Sequence, residues 1–560
     1  MKSANVRTHR QQGSQKVAPA PLGEQLPPVA PSTASTRRGR GNAPQRLETA
    51  QSLARKQREI SVSEFFLKNR HLLGFDNPQK ALLTAVKEAV DNSLDACEQA
   101  GILPDLRIEI EQLSEERFRI AVEDNGPGIV RHQIPKVFGK LLYGSKFHTL
   151  LQQRGQQGIG ISAAGMYGQL TTGKPVVITS RTGPTREAHH FRIAIDTTRN
   201  KPKILEDSTI AWNKPHGTRV ELELEGVYRK GARSVDQYVA QTAIANPHAR
   251  IVYRSPRGEE IVYERATDQL PPRPLEIRPH PYGVELGALI EMLRRSSSRT
   301  LKAALQSDFS RVSPRVAAEI CARAEVDPDR SPARLTPQEV ERLFHAIPQV
   351  KIMAPPTNCL SPIGEEQILA GLQHVGAAFY TAVTRPPAVY RGNPFQIEAG
   401  IAYGGDLPVD GLVELMRFAN RVPLLYQQSA CAIFKAVMSV DWRNYGLSQA
   451  KGALPSGPCV IFVHMASAWV PFTSESKEAI ASYPEILKEI RLALQECGRR
   501  LGAHIRRGRR LAEERKRRSY IEQYLPIIGE SLQSILGLSD RQRQQTVTTL
   551  QTILERSRKR

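Results

Sequence analysis

Cysteine is scarce in this chain of 560 residues. The six present, Cys97, Cys321, Cys359, Cys431, Cys459 and Cys497, are scattered, with no CxxC pair and no metal-ligand spacing. That excludes a cysteine-built zinc site and a disulfide framework, and the thiols read as reduced cytosolic residues. Long apolar runs are missing too. No stretch approaches the roughly 20 residues of a membrane-spanning helix, which excludes a helical membrane protein. No internal repeat is visible. Acidic residues are in deficit, 56 Asp and Glu against 78 Lys and Arg, for a formal charge of +22. An excess of that size favours a polyanionic partner, nucleic acid or an acidic surface, without naming it.

What is present, 40% hydrophobic and 24% charged residues, is the composition of a soluble globular protein, and the length allows roughly three to four domains. Residues 1–59 are rich in Pro, Ala, Gln, Ser and Arg, and are expected to form a flexible basic tail. Their proline density argues against an amphipathic transit peptide. Order should begin near Ile60. In residues 60–226, "LRIEIEQL", "FRIAVED", "KPVVITSRT" and "GTRVELELEG" read as strands between helical patterns, which predicts an α/β unit with a mainly antiparallel sheet. Residues 227–364 hold linker strands and then helical blocks with Ser/Pro caps, such as "SPRVAAEICARAEV" and "LTPQEVERLFHAI". Strands return in residues 365–502 and end in a long helical pattern; residues 503–560 form a basic helical tail. The whole reads as a multidomain α/β protein.

Three segments carry chemistry. In "KEAVDNSLDACEQAG", Leu82, Leu83, Val86, Ala89, Val90, Ser93 and Leu94 make the buried face of a helix, leaving Glu88 and Asn92 one turn apart with Asp95 close to the same line. A carboxylate can orient a water, and an amide oxygen can ligate Mg2+, a hard ion. For an isolated pair a solvated face is the better reading; two segments downstream reverse it. In "AVEDNGPGI" a strand runs into Asp124, Gly126 and Gly128, which suits a rigid pocket floor where Asp124 accepts a hydrogen bond from an exocyclic amine such as adenine's. In "RGQQGIGISAAGMYG", Gly155, Gly158, Gly160 and Gly165 let backbone N–H groups approach phosphate ahead of a helix N-terminus. "GIGISA" fits a dinucleotide fingerprint, but no strand precedes it, and "GKLLYGSK" has the P-loop Lys and Ser in the wrong order. Lys146 in "GSKF" either touches phosphate or is solvated. Asp327 and Asp329 in "DPDR" read as a turn, and His216 and His464 as structural.

Taken in chain order, "EAVDNSLDA", "EDNGPGI", "GQQGIGISAAG" and "HGTRVEL" resemble the four nucleotide boxes of the GHKL ATPases. The resemblance implies a Bergerat fold, an α/β sandwich with ATP and Mg2+ beneath a glycine-rich lid. It implies Glu88 as general base, Asn92 as Mg2+ ligand, Asp124 as adenine contact and Thr218 beside that contact. Longer stretches, among them "RPHPYGVELGALIEML", "RVPLLYQQSACAI" and "VPFTSESKEAIA", resemble the B subunits of topoisomerase VI, a type IIB DNA topoisomerase, from about Ile60 to about Leu501. That likeness implies a helix-two-turn-helix domain and a transducer domain ending in a long helix. It also implies a transducer lysine at the γ-phosphate, for which "SQAKGALPSGP" offers Lys451.

The same likeness implies that strands are cleaved by a separate chain, the topoisomerase VI A subunit, with duplex DNA as substrate. It further implies dimerisation on ATP binding within an A2B2 heterotetramer, and a cytoplasmic, nucleoid-associated location. A signalling kinase on the same fold lacks its phospho-accepting helix here. A chaperone or mismatch-repair clamp lacks the helical insert. In the tail, Tyr520, Tyr524, Leu525, Ile528, Leu532, Ile535 and Leu536 have helical spacing. They are expected either to pack on the transducer helix or to dock the A subunit.

Overall fold

The computed structural model describes residues 50–56, 60–61, 64–65, 68–144, 149–155, 158–474 and 476–556. The chain divides into two compact units, Met1–Glu59 and Ile60–Arg560. In the first, Ala50–Lys56 forms helix α1; the rest of the expected basic tail lies outside the described residues.

In the second unit, the apolar period of residues 82–94 becomes helix α2 (Pro78–Gln99). Pro78 opens it, and the Asn77 side chain accepts the Lys80 N–H at 2.9 Å, satisfying one of the orphan donors of the first turn. The alternating stretches become β1 (Asp105–Gln112), β2 (Arg117–Glu123), β3 (Val176–Arg181), β4 (Ala188–Asp196), β5 (Lys201–Ile210), β6 (Gly217–Glu225), β7 (Arg250–Arg254) and β8 (Glu260–Tyr263). They form one sheet in the order β5-β4-β3-β6-β2-β1-β7-β8. Every pairing is antiparallel except β1 with β7.

Alternation sorts this sheet into two faces. Leu106, Ile108, Ile110, Phe118, Ile120, Val122, Leu222 and Leu224 point into a core shared with α2, α4 (Gly160–Thr172) and α5 (Val235–Ala245). The residues between them are charged apart from Ala121, and on that face Arg219 bridges Glu109, Glu123 and Glu221. The short helix α3 (Ile134–Gly139) packs against β4 and β5.

Helices α6 (Leu286–Arg295), α7 (Leu301–Asp308), α8 (Pro314–Ala324) and α9 (Pro337–Ala346) enclose a separate apolar core that includes Leu289, Leu305, Phe309, Ile320 and Leu343. Thr300, Ser313 and Thr336 cap three of them, Thr336 in a full capping box with Glu339. The turn reading of "DPDR" holds: Asp327 accepts the Asp329 N–H at 3.0 Å.

A second sheet follows α10 (Glu365–Leu372). Its strands are β9 (Phe379–Thr384), β10 (Ala388–Tyr390), β11 (Asn393–Tyr403), β12 (Glu414–Ala419), β13 (Val422–Pro423) and β16 (Cys459–Ser467). The order is β10-β11-β16-β12-β13, with β9 also on β11. Strand β16, "CVIFVHMAS", is buried along its whole length, as an apolar run without alternation should be. Helix α11 (Ala432–Ser439) packs on this core, and β14 (Ser448–Gln449) and β15 (Pro455–Ser456) form a small separate hairpin.

Helix α12 runs from Pro484 to Leu536 and is uninterrupted at Gly502. Its first part lays Ile486, Ile490, Leu494 and Leu501 on the sheet. Helix α13 (Asp540–Arg556) then folds back on α12. Gly529 permits the approach: a Cβ there would lie 2.5 Å from Val547 Cγ2. Of the expected apolar stripe only Leu525 is buried; Tyr520, Tyr524, Ile528, Ile535 and Leu536 are exposed. No helix among the described residues is long and apolar enough to cross a membrane.

Candidate functional site

A cavity of about 430 Å³ opens where α2 faces the segment before α4. Glu88, Asn92 and Asp95 from α2, Asp124 after β2, Gly128, Gly155, Gly158, Gly160 and Thr218 at the start of β6 all line it. Asn92 is exposed to the cavity, whereas its neighbours Asp91 and Ser93 are buried.

Asp124 is 5% exposed and held on three sides. Its Oδ2 accepts from Ser93 Oγ at 2.9 Å, and its Oδ1 accepts from the Gly126 N–H at 2.9 Å and the Thr218 N–H at 3.1 Å. Burial pushes the carboxyl above its ordinary range, against the pull of those donors. A carboxylate has about four acceptor sites, so about one is left for a ligand donor. Thr218 Oγ1 hydrogen-bonds Ser180 Oγ at 3.0 Å, and Ser180 Oγ accepts the Ile129 N–H at 2.8 Å. Gly128, at φ +72, fits because a Cβ would lie 2.1 Å from the Arg181 carbonyl oxygen.

The N-terminus of the thirteen-residue helix α4 has no side-chain cap. Its first-turn N–H groups and macrodipole favour an anion. Gly160, the first residue of α4, packs directly on Glu88: a Cβ would fall 1.7 Å from Glu88 Oε2. Together these features suit a ligand with an exocyclic amine at one end and phosphates at the other.

Three expected residues stand apart from the cavity wall. Gly126 acts through its N–H on Asp124. Gly165 lies inside α4 against Val176, where a Cβ would lie 2.6 Å from Cγ2, so close helix-to-sheet packing is what requires glycine there. Lys146 lies outside the described residues. Lys451 does not line the cavity; it is exposed in the turn between β14 and β15.

The second sheet's domain reaches the cavity instead through residues 423–426 and 476–478. Lys80 of α2 pairs with Glu478 at 2.6 Å and lies over the Tyr426 ring at 5.4 Å. The lysine this domain puts on the cavity wall is Lys477, at φ +53 in the loop closed by the Phe472–Ile480 bridge. Its stretch, "FTSESKEAIA", had no local feature ranking it above Lys451.

Arg154 was equally illegible. It is buried between Asp95 at 2.9 Å and Glu98 at 2.6 Å, and also donates to Asn246. His248 Nε2 lies 2.8 Å from Glu98 Oε1. Burial works against the Glu98 charge, but Arg154 and His248 hold its carboxyl well below the usual range.

The neighbours of Arg154 tie this segment to the second sheet. Gln152 exchanges two hydrogen bonds with the Ser361 backbone, at 2.8 and 2.7 Å, and Asn420 Nδ2 donates to the Gln153 carbonyl at 3.1 Å. Arg421 Nη2 donates to Ser361, and the Arg421 N–H donates to His464 Nε2 at 3.0 Å. His464 Nδ1 therefore carries the proton toward Glu398 Oε2, 2.8 Å away. His464 is a structural residue of the second sheet, and His216 likewise bonds the Gly126 carbonyl.

Residues 77–225 match the family model of the histidine kinase-, DNA gyrase B- and HSP90-like ATPases, and residues 355–517 match that of the topoisomerase VI B subunit transducer. The type 2 DNA topoisomerase 6 B subunit of Methanococcoides burtonii is 52% identical over 489 residues, covering 87% of this chain and 79% of its own length. That of Archaeoglobus fulgidus is 48% identical over 483 residues, covering 86% and 80%. That of Pyrococcus furiosus is 40% identical over 540 residues, covering 87% and 93%. With its ATPase model on the first sheet and its transducer model on the second, the chain belongs to the family of type 2 DNA topoisomerase 6 B subunits.

Proposed function

We propose that the cavity binds ATP with Mg2+, that ATP binding there closes two copies of this chain around duplex DNA, and that hydrolysis lets them part. A separate A subunit makes the break through which a second duplex passes, within an A2B2 assembly. The observation that carries this reading is the shared wall of the cavity, built by ATPase residues on one side and by residues 423–426 and 476–478 of the transducer on the other. A ligand filling it touches both domains, so its γ-phosphate can bias their arrangement.

In this reading Asp124 accepts the adenine amine, and the α4 N-terminus with Gly155, Gly158 and Gly160 receives the phosphates. Glu88 takes the proton of the attacking water as its oxygen bonds to the γ-phosphorus and the bond to the β-phosphate oxygen breaks. Among the described residues no group of three or more His, Cys, Asp or Glu side chains could hold a metal. Asn92 would therefore be a single protein oxygen donor completing a Mg2+ shell supplied mainly by phosphate and water, as that ion prefers. The bound ion would offset charge on the phosphates.

We assign the transducer's γ-phosphate contact to Lys477 in place of Lys451. Lys477→Met is expected to lower ATP turnover by about 10²-fold or more, the range for one lost transition-state donor, while Lys451→Met stays within about twofold of the unmodified chain. A steady-state phosphate-release assay on both variants checks this, and the reverse ranking would contradict the assignment. The wider reading is tested by combining the chain with a topoisomerase VI A subunit and supercoiled DNA. Relaxation should require ATP and weaken with salt as phosphate contacts are screened. Autophosphorylation on histidine would overturn it.

A further inference from the structure

Lys87 sits beside the proposed base and has no part in the roles above. On α2 its ammonium lies 3.5 Å from Glu88 Oε1 and 3.4 Å from Asp91 Oδ2. Asp91 is 4% exposed, and its Oδ1 accepts from Tyr238 Oη at 3.0 Å. Tyr238, on α5, is fully buried. A lysine adjacent to Glu88 in sequence would ordinarily swing about 100° round the helix to a different face. Here Asp91, one turn on, draws it back over the carboxylate, and Tyr238 fixes Asp91 from the neighbouring helix.

We propose that Lys87 is a positioning residue for ATP hydrolysis, its ammonium clamped by Asp91 and Tyr238 so that it orients the Glu88 carboxylate and offsets the negative charge brought by the phosphates. The inference rests on Glu88 being the general base. A base next to a polyphosphate has an electrostatic problem: the incoming anion favours its protonated form, which cannot accept a proton. A fixed cation at Glu88 answers it.

The groups around the ammonium are consistent with this office. On α2 they are Glu88 and Asp91, with Asp95 a turn further on; from α5 comes Tyr238. From the segment before α4 comes Arg154, whose charge also acts on Asp91. Lys477 shares with Lys87 a small void also lined by Asn420 and Phe472. Burial alone would discharge Lys87, but Glu88 and Asp91 hold its ammonium above the ordinary lysine range, so it stays charged wherever the enzyme works.

The experiment compares Lys87→Met, Lys87→Arg, Tyr238→Phe and Glu88→Gln by the pH profile of kcat and by calorimetric affinity for a non-hydrolysable ATP analogue with Mg2+. Removing the cation raises the Glu88 pKa, so the acid limb of kcat in Lys87→Met should move to higher pH, by about 1–3 units for an opposite charge at this range. Analogue affinity should stay within about threefold, Lys87→Arg should restore most of the limb, and Tyr238→Phe should shift it the same way by less.

An acid limb in Lys87→Met identical to that of the unmodified chain would overturn the proposal, as would a loss of analogue affinity matching the loss in kcat, which would make Lys87 a phosphate ligand. If Lys87→Met does not fold, an unshifted limb in Tyr238→Phe overturns it alone. Failure of the underlying reading is recognised separately, by Glu88→Gln retaining full turnover.

Discussion

Arg154→Met is expected to destabilise the second unit by about 3–5 kcal/mol, the usual consequence of removing one partner from a buried ion cluster. The methionine fills much of the volume, so packing is not the main loss. The damage comes from Glu98 and Asp95, left without the guanidinium they now meet at 2.6 and 2.9 Å. The effect should depend on pH in a defined direction. Glu98 has a depressed pKa in the folded state, so its contribution is fully present above the unfolded carboxylate range and is lost as pH falls through the folded value. Arg154→Met should therefore differ most from the unmodified chain at neutral pH and converge with it in acid. Chemical denaturation followed from pH 7 down to about pH 2 measures both. A neutral-pH difference below about 1 kcal/mol would show that the cluster is not what holds this segment. Adding Glu98→Gln to Arg154→Met should recover part of the loss, since one of the two buried charges left without the guanidinium is then gone.

Gly160→Ala is expected to leave a folded protein that no longer hydrolyses ATP at a useful rate. Gly160 begins a helix and has no left-handed backbone, so alanine suits its conformation and raises helix propensity by up to about 1 kcal/mol. Its Cβ, however, would fall 1.7 Å from Glu88 Oε2 and 2.3 Å from Glu88 Cδ. A carboxylate at the end of a flexible side chain yields by turning away, and a base turned away no longer holds its water. The loss should approach the roughly 10²–10⁴-fold associated with a positioned general base. Gly165→Ala, five residues on, presses on Val176 in the packed core and should instead cost about 1–3 kcal/mol of stability. Thermal unfolding and phosphate release on the two variants separate the effects; a Gly160→Ala enzyme with normal turnover would move Glu88 out of the catalytic role.

The contrast between those two glycines shows what the chain discloses by itself and what it hides. Helix α2 was legible because its apolar period, its Asn77-Pro78 start and its polar stripe are all local. The strands were legible because alternation records which face meets the core. The glycine boxes announced a phosphate site, yet the reason two of these glycines are required is tertiary: a Cβ would run into Glu88 at Gly160 and into Val176 at Gly165. Lys477 and Lys451 are both polar-loop lysines, and the Phe472–Ile480 pairing that turns Lys477 into the cavity wall has no local signature. Arg154 meets partners 56 and 92 residues away in the chain, and nothing within reach of a sequence window marks it. The end of the transducer was also blurred, because the Arg, Lys, Glu and Ala residues beyond Gly502 are good helix formers and continue α12 without a break.

If Glu88 performs the chemistry in a pocket that the other residues build, Glu88→Gln is the sharpest test of it. The substitution keeps the shape of the side chain and removes only its basicity. One titration of a non-hydrolysable ATP analogue with Mg2+, run beside a phosphate-release assay, gives the answer. The expected result is affinity within about threefold of the unmodified chain and turnover lower by about 10² or more. Turnover within a factor of about two, with the analogue still bound, would contradict the assignment of Glu88 as the base.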